Sequence, residues 1–280
     1  MTPDVLIAGH IAKDITADGW RPGGGVLYAA AQASRLGLSV AALTACSPEV
    51  EPSAVLPGVD WRVLPSEATA TFENVYCDGV RQQRLLATGR RLSLEDLPVE
   101  WLDAPLVLLT SLFHEIEADI APALVSRGAL VGLGAQGWLR RLEGDRVQPM
   151  AFEPSPAWLA ADVVFVSEED VADAERVAEW RSRTPIVVLT RGYRGCTVWD
   201  TSGRHDVSAA AVAEVDPTGA GDVFAAAFLV RYAEARDVVA AARFATAAAA
   251  LAVGGEGTSS IAGRDEIETL LEAGQVKVAG

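Results

Sequence analysis

Asp216-Pro217-Thr218-Gly219-Ala220-Gly221-Asp222-Val223-Phe224 sets a glycine-bearing turn directly before an alanine-rich helix, expected over 219–234. Gly219 and Gly221 carry no side chain to hold a ligand away. The N–H groups of a first helical turn have no partner inside the helix, and the helix dipole lies behind them. Together these make an anion hole suited to a phosphoryl group. Asp222 falls in that turn, where the dipole favours its ionised form. A carboxylate there is well placed to take a proton from an attacking hydroxyl. The same spacing also suits a plain glycine turn with an acidic helix start, a feature of many folds.

On either side, short β-branched runs alternate with longer Ala/Leu-rich stretches. Strands are expected over 5–9, 40–43, 106–109, 130–133, 163–166, 186–189 and 197–199, as continuous apolar runs buried on both faces. Helices are expected over 26–36, 116–126, 168–180, 219–234, 238–253 and 265–271, with Asp237 as N-cap of the fifth. This alternation predicts an α/β fold, a doubly wound, mostly parallel sheet flanked by helices. Residues 69–92 break the pattern, because two extended segments flank Asp78-Gly79, a hairpin signal. Such a flap is either decoration or a lid beside a ligand crevice. No repeat or low-complexity linker divides the chain. Residues 1–280 are therefore expected to form one domain, with a small β lid from about 10–22 and 69–92.

Half of the 280 residues are hydrophobic and 22% are charged, which excludes wholesale disorder. The formal charge of −15 repels a phosphate backbone, so no nucleic-acid partner is expected. No apolar run reaches the ~18 residues that span a bilayer, and no basic segment precedes the first apolar run. Cys46, Cys77 and Cys196 are scattered, which argues against a disulfide framework or a cysteine zinc site. A cytoplasmic location is expected. Lys13 and Lys277, the two lysines, precede Asp14 and Val278, so there is no Walker A loop. His10, His114 and His205 do not have zincin spacing, and Gly-x-Ser-x-Gly does not occur. Gly132-Leu133-Gly134-Ala135-Gln136-Gly137 matches a dinucleotide fingerprint. However, only a helical turn or two fits before the turn Glu143-Gly144-Asp145. It reads as a strand ending in a glycine-rich loop.

The motif at 216–222, Asp-x-Thr-Gly-Ala-Gly-Asp, resembles the C-terminal signature of the ribokinase-like (PfkB) carbohydrate kinases. Gly23-Gly24-Gly25 leading into a helix that ends Arg35-Leu36-Gly37 is similar to their N-terminal signature. Gly9-His10-Ile11-Ala12-Lys13-Asp14 resembles their first strand and substrate aspartate, and the hairpin falls where they carry a lid. The resemblance covers nearly the whole chain. It implies an ATP-dependent kinase acting on a hydroxyl of a small sugar, cyclitol or nucleoside, with Asp222 as catalytic base. Gly219, Ala220 and Gly221 would supply anion-hole N–H groups. Asp14, Gly24 and Gly25 would hold substrate hydroxyls. Thr190, Gly192 and Gly195 would lie at the nucleotide, and Thr246 near its adenine. Asp216 and Thr218, with the loop 255–259, resemble the monovalent-cation (K+) site of some members. In similar kinases such lids pair into a homodimer.

Three departures bear on substrate. Tyr28 stands where the family's helix has asparagine, either as core packing or as part of a remodelled pocket, which disfavours ribose. Ser167-Glu168-Glu169-Asp170 stands for Asn-x-x-Glu. Asp170 can still order magnesium-bound water, while Ser167 reads equally as an N-cap. Thr246 replaces an asparagine and leaves the nucleobase open. Gln136 and Arg140 lie in a segment similar to a branch near myo-inositol kinases, or else form a polar loop packed on the sheet. The competing functions are a catalytically silent sugar- or nucleotide-binding protein on the same fold and a dinucleotide oxidoreductase.

Overall fold

The computed structural model describes residues 1–77, 80–150, 155–171 and 174–278. Along Val5–Ala8, Val5 and Ile7 enter one apolar cluster and Leu6 and Ala8 another, so an unbroken apolar run becomes a strand covered on both faces. In chain order the strands are β1 (Val5–Ala8), β2 (Ala12–Thr16), β3 (Gly19–Gly23), β4 (Val40–Cys46), β5 (Asp60–Pro65), β6 (Ala70–Cys77), β7 (Val80–Ala87) and β8 (Leu106–Thr110). They continue with β9 (Leu130–Gly134), β10 (Arg140–Glu143), β11 (Arg146–Pro149), β12 (Val163–Ser167), β13 (Ile186–Thr190), β14 (Cys196–Asp200), β15 (Gly203–Ser208) and β16 (Lys277–Val278). The α-helices are α1 (Gly25–Arg35), α2 (Pro52–Val55), α3 (Ile120–Val125), α4 (Pro156–Ala160), α5 (Ala220–Ala235), α6 (Val238–Ala252) and α7 (Arg264–Glu272).

Among the described residues the strands form two sheets. The larger has the order β16-β15-β14-β13-β12-β9-β8-β1-β4-β5, parallel from β13 to β5 and antiparallel at the other edge. Helices α1, α5 and α6 cover one face, and α3, α4 and the 3-10 turns bearing Trp101 and Trp180 cover the other. The chain turns back at β1, which pairs with β4 on one side and β8 on the other. In doubly wound sheets the ligand crevice opens at the carboxyl ends of the strands beside such a switch. The smaller sheet has the order β10-β11-β7-β6-β2-β3. Its inner face adds a third apolar cluster of Ala12, Ala70, Phe72, Leu85 and Leu112.

All seven expected strands are present, and Asp237 caps α6 by accepting from Val239 and Ala240 N–H. Two expected helices are not as anticipated. Residues 168–180 form 3-10 turns at Glu168–Asp170 and Ala174–Ser182, broken by extended backbone at Val171, which frees Asp170 to turn inward. The expected 116–126 helix is confined to Ile120–Val125. Ile116 bridges to Leu92, and Glu117 N–H donates to Leu92 O, so the first residues stay extended. The smaller sheet is also wider than the 10–22 and 69–92 segments. The chain at 139–142 leads into a β10–β11 hairpin, pinned to β7 where Arg84 bonds Asp145 and Glu73. The Asp78-Gly79 turn lies outside the described residues, while β6 and β7 pair antiparallel up to Cys77 and Val80. Gly132–Gly137 ends β9 and enters a 3-10 turn, Ala135–Trp138. Among the described residues no helix is long and apolar enough to cross a membrane.

Candidate active site

Gly219 is the N-cap of α5, in the left-handed region at φ 78°, which favours glycine. A Cβ there would lie 2.1 Å from Tyr28 Cγ, so the tyrosine ring rests directly on the turn. Ala220 N–H donates to Pro217 O and Asp222 N–H to Gly219 O, which fixes the turn's shape. A Cβ on Gly221 would meet nothing within 4 Å, so that side of the helix start is open.

Asp222 extends from α5 to the start of α1, where a Cβ on Gly25 would lie 2.5 Å from its Oδ1 and 2.8 Å from Thr110 Cβ. The glycine is what allows α1, α5 and the end of β8 to converge. Burial, and then the neighbouring Asp170, push the Asp222 carboxyl up to about 7, while Arg140 pulls the other way. A base with that value changes protonation state near neutrality.

Asp170 is the second carboxylate, also raised by burial, with Arg140 and a hydrogen bond from Gln136 opposing. Gln136 Nε2 donates to Asp170 Oδ1 at 3.3 Å, and Arg140 Nη2 lies 3.8 Å from the same oxygen. Arg140 Nη1 donates to Leu112 O, and its guanidinium stands 6.0 Å over the Phe72 ring. Gln136 and Arg140 therefore both reach Asp170, and Arg140 also acts on Asp222. Ser167 caps its turn, its Oγ accepting from Glu169 N–H.

Asp14 sits on β2, in the smaller sheet. Its carboxylate lies against Gly23, where a Cβ would come within 2.0 Å of Oδ2. Gly24, at φ 95°, caps α1 and passes within close range of His10 O. Tyr28 is 3% exposed, and its hydroxyl is held far above its ordinary value by burial and then by Asp14, Asp216 and Asp222. The tyrosine thus packs in the core with its ring against the α5 turn.

The remaining candidates fall into three groups. Thr190 ends β13 beside Ser167, its hydroxyl donating to Val166 O, and Gly192–Arg194 turns back to Gly195. Arg194 pairs with Glu168, joining this turn to the Asp170 segment. Thr246 is buried in α6, its hydroxyl 3.6 Å from Cys196 Sγ. Asp216 accepts from Thr218 N–H at 2.9 Å and Gly257 N–H at 3.4 Å. Burial opposes its ionisation, yet these bonds hold it below the usual carboxylate range. Among the described residues no three His, Cys, Asp or Glu side chains cluster as metal ligands.

Sequence reasoning missed Thr110, Phe72 and the loop Ser111-Leu112-Phe113-His114-Glu115. Glu115, buried, accepts from His10 N–H, Leu112 N–H, Phe113 N–H and the Ser111 hydroxyl, which fixes this loop. The available signal was positional, because the loop follows a buried strand at its carboxyl end.

The pfkB family carbohydrate kinase model matches residues 160–263. The chain is 26% identical to a cytidine kinase of Thermococcus kodakarensis over 252 residues, 83% of this chain and 90% of that one. A pyrophosphate-dependent kinase of the ribokinase family, solved with a pyrophosphate analog and myo-inositol, superposes with a TM-score of 0.79 at 25% identity, covering 96% of this chain and 99% of the other. Arabidopsis thaliana ribokinase complexed with ribose and ATP superposes with a TM-score of 0.75 at 22% identity, over 97% and 99% of the two chains, a likeness of fold. With the 216–222 turn at its switch point, the chain has the ribokinase fold, and its residues 160–263 match the pfkB family of carbohydrate kinases.

Proposed function

We propose that the chain transfers the γ-phosphoryl group of ATP to a hydroxyl of a small sugar, cyclitol or nucleoside, with Asp222 as general base. The observation that carries this reading is Asp222 itself. It stands one residue past the Gly219–Gly221 turn, against Gly25, with its carboxyl raised to about 7. Asp14 and the backbone at Gly24 and Gly25 orient the acceptor, and a carboxylate accepts two hydroxyl hydrogen bonds at once. Asp222 takes the acceptor's proton as its oxygen attacks phosphorus, and the developing charge lies at the α5 N-terminus. Thr190, Gly192 and Gly195 line the donor side. Asp170 is placed to order magnesium-bound water, and magnesium would offset phosphate charge. Asp216 and Thr218, tied to the 255–259 loop through Gly257, are the place for a monovalent cation. The smaller sheet acts as the lid.

A second reading changes only the donor. Thr246, expected beside adenine, has its hydroxyl against Cys196, and the 25% identical neighbour is pyrophosphate-dependent. Both readings meet the same test, phosphate transfer from MgATP or pyrophosphate to a panel of acceptors. Asp222→Asn is expected to lower kcat by about 10²–10⁴ with ligand binding retained. A folded Asp222→Asn enzyme with near-normal kcat overturns the assignment, and binding without transfer by the wild type establishes the silent alternative.

A further inference from the structure

A cavity of about 280 Å³ lies between the inner face of β6–β7 and the loop after β8. Phe72 and Leu85 line it from the sheet, Leu112, Phe113 and His114 from the loop, and His10 from the end of β1. Two of these residues also touch the acceptor site. Arg140 stands over the Phe72 ring and donates to Leu112 O, and Phe72 is the register partner of Asp14 in the parallel β2–β6 pair. Register partners point to the same face of a sheet, so the acceptor site and the cavity adjoin along the inner face of the smaller sheet.

We propose that the acceptor is a nucleoside, its sugar held at Asp14 and Asp222 and its base in this cavity. The proposal rests on the kinase reading above and names its substrate class. The lining is largely carbon, with the rings of Phe72 and Phe113 and the side chains of Ala70, Leu85 and Leu112. A flat aromatic base fits such a lining, whereas a free sugar or cyclitol would bury hydroxyl groups without partners. The polar side chains of the lining, Thr88, Arg91, His10 and His114, offer donors and acceptors to a base edge. His10 Nε2 lies 2.7 Å from Arg90 O and His114 Nε2 2.6 Å from Arg140 O. A carbonyl only accepts, so each Nε2 carries a proton, and Nδ1 is the ring atom left to face a base edge. The acidic group in the wall, Glu115, spends its oxygens on Ser111, Leu112, Phe113 and His10, so it shapes the cavity without demanding a cation. A Cβ on Gly89 would lie 2.9 Å from His10 Cε1, so that glycine is what seats the imidazole.

The test uses the full chain with cytidine, adenosine, ribose, ribose 1-phosphate and myo-inositol. Binding is measured by calorimetry, and transfer from MgATP and from pyrophosphate by mass spectrometry of the product. A nucleoside is expected to lead ribose by at least about tenfold in kcat/KM. Leu85→Trp, which fills the cavity, is expected to lower the nucleoside-to-ribose ratio by at least about tenfold. Phe113→Ala, which removes a ring without adding bulk, should lower the same ratio and serves if the first variant does not fold. Ribose, ribose 1-phosphate or myo-inositol as best acceptor, with nucleosides neither bound nor phosphorylated, overturns the proposal and leaves the kinase reading intact. Nucleoside binding that Leu85→Trp weakens, with no transfer from either donor, does the reverse.

Discussion

The turn before α5 and the inner face of the smaller sheet meet at Tyr28, whose hydroxyl feels both Asp14 and Asp222. They are assembled in opposite ways. The turn is nine consecutive residues in which every glycine has a local reason. Gly219 adopts φ 78°, and Gly221 leaves the helix start open. The sheet draws its strands from 12–23, 70–87 and 140–149, and its inner face exists only once these are paired. Chemistry held by one contiguous motif and specificity held by a composite surface should respond differently to mutation.

The comparison breaks most sharply at Gly25. Gly25→Val would drive a side chain into Asp222 and Thr110, so kcat is expected to fall by about 10²-fold or more through displacement of the base. Steady-state kinetics on a variant checked for folding decide this. A loss confined to KM would move Gly25 to the composite surface instead.

On the sheet side the expected effect is smaller and selective. Asp14→Ala should weaken acceptor affinity about 10–100-fold, the scale of lost hydrogen bonds to a charged group, and leave donor affinity within about twofold. Calorimetry with each ligand alone checks it, and equal losses for both would contradict the division between the two regions.

Arg21→Ala is expected to do least. Its ion pair with Glu256 joins β3 to the loop after α6, but both side chains are more than half exposed. Such pairs contribute about 0–1 kcal/mol and are screened by salt. A shift in thermal midpoint larger than about 4 °C would show that this contact anchors the sheet.

The same contrast explains what the sequence disclosed. The strands of the large sheet were legible because burial on both faces leaves an unbroken apolar run, as in Val163–Ser167 and Ile186–Thr190. Asp237 and the 216–222 turn were legible because caps and glycine turns are local chemistry. Residues 140–149 were not, because their partner β7 lies some sixty positions earlier and no short-range pattern encodes that pairing. The 168–180 segment carries helix-forming residues, yet tertiary demand wins at Asp170, which turns toward Gln136 and Arg140. The cavity walls of Phe72, Leu112 and Phe113 come from segments some forty positions apart and meet only when the sheet folds over the loop after β8.

The central claim is that Asp222 is the proton acceptor, and the pH dependence of kcat/KM in wild type and Asp222→Asn tests it most directly. A general base works only when deprotonated, and the Asp222 carboxyl is raised to about 7, so under the proposal activity is expected above that value and is lost below it. Wild-type kcat/KM should fall about tenfold for each pH unit below about 7 and level off above it. Asp222→Asn should be slow at every pH and lack that limb. A wild-type profile flat between about pH 5 and 9, or an Asp222→Asn profile that keeps the acid limb at near-normal rate, would contradict the account.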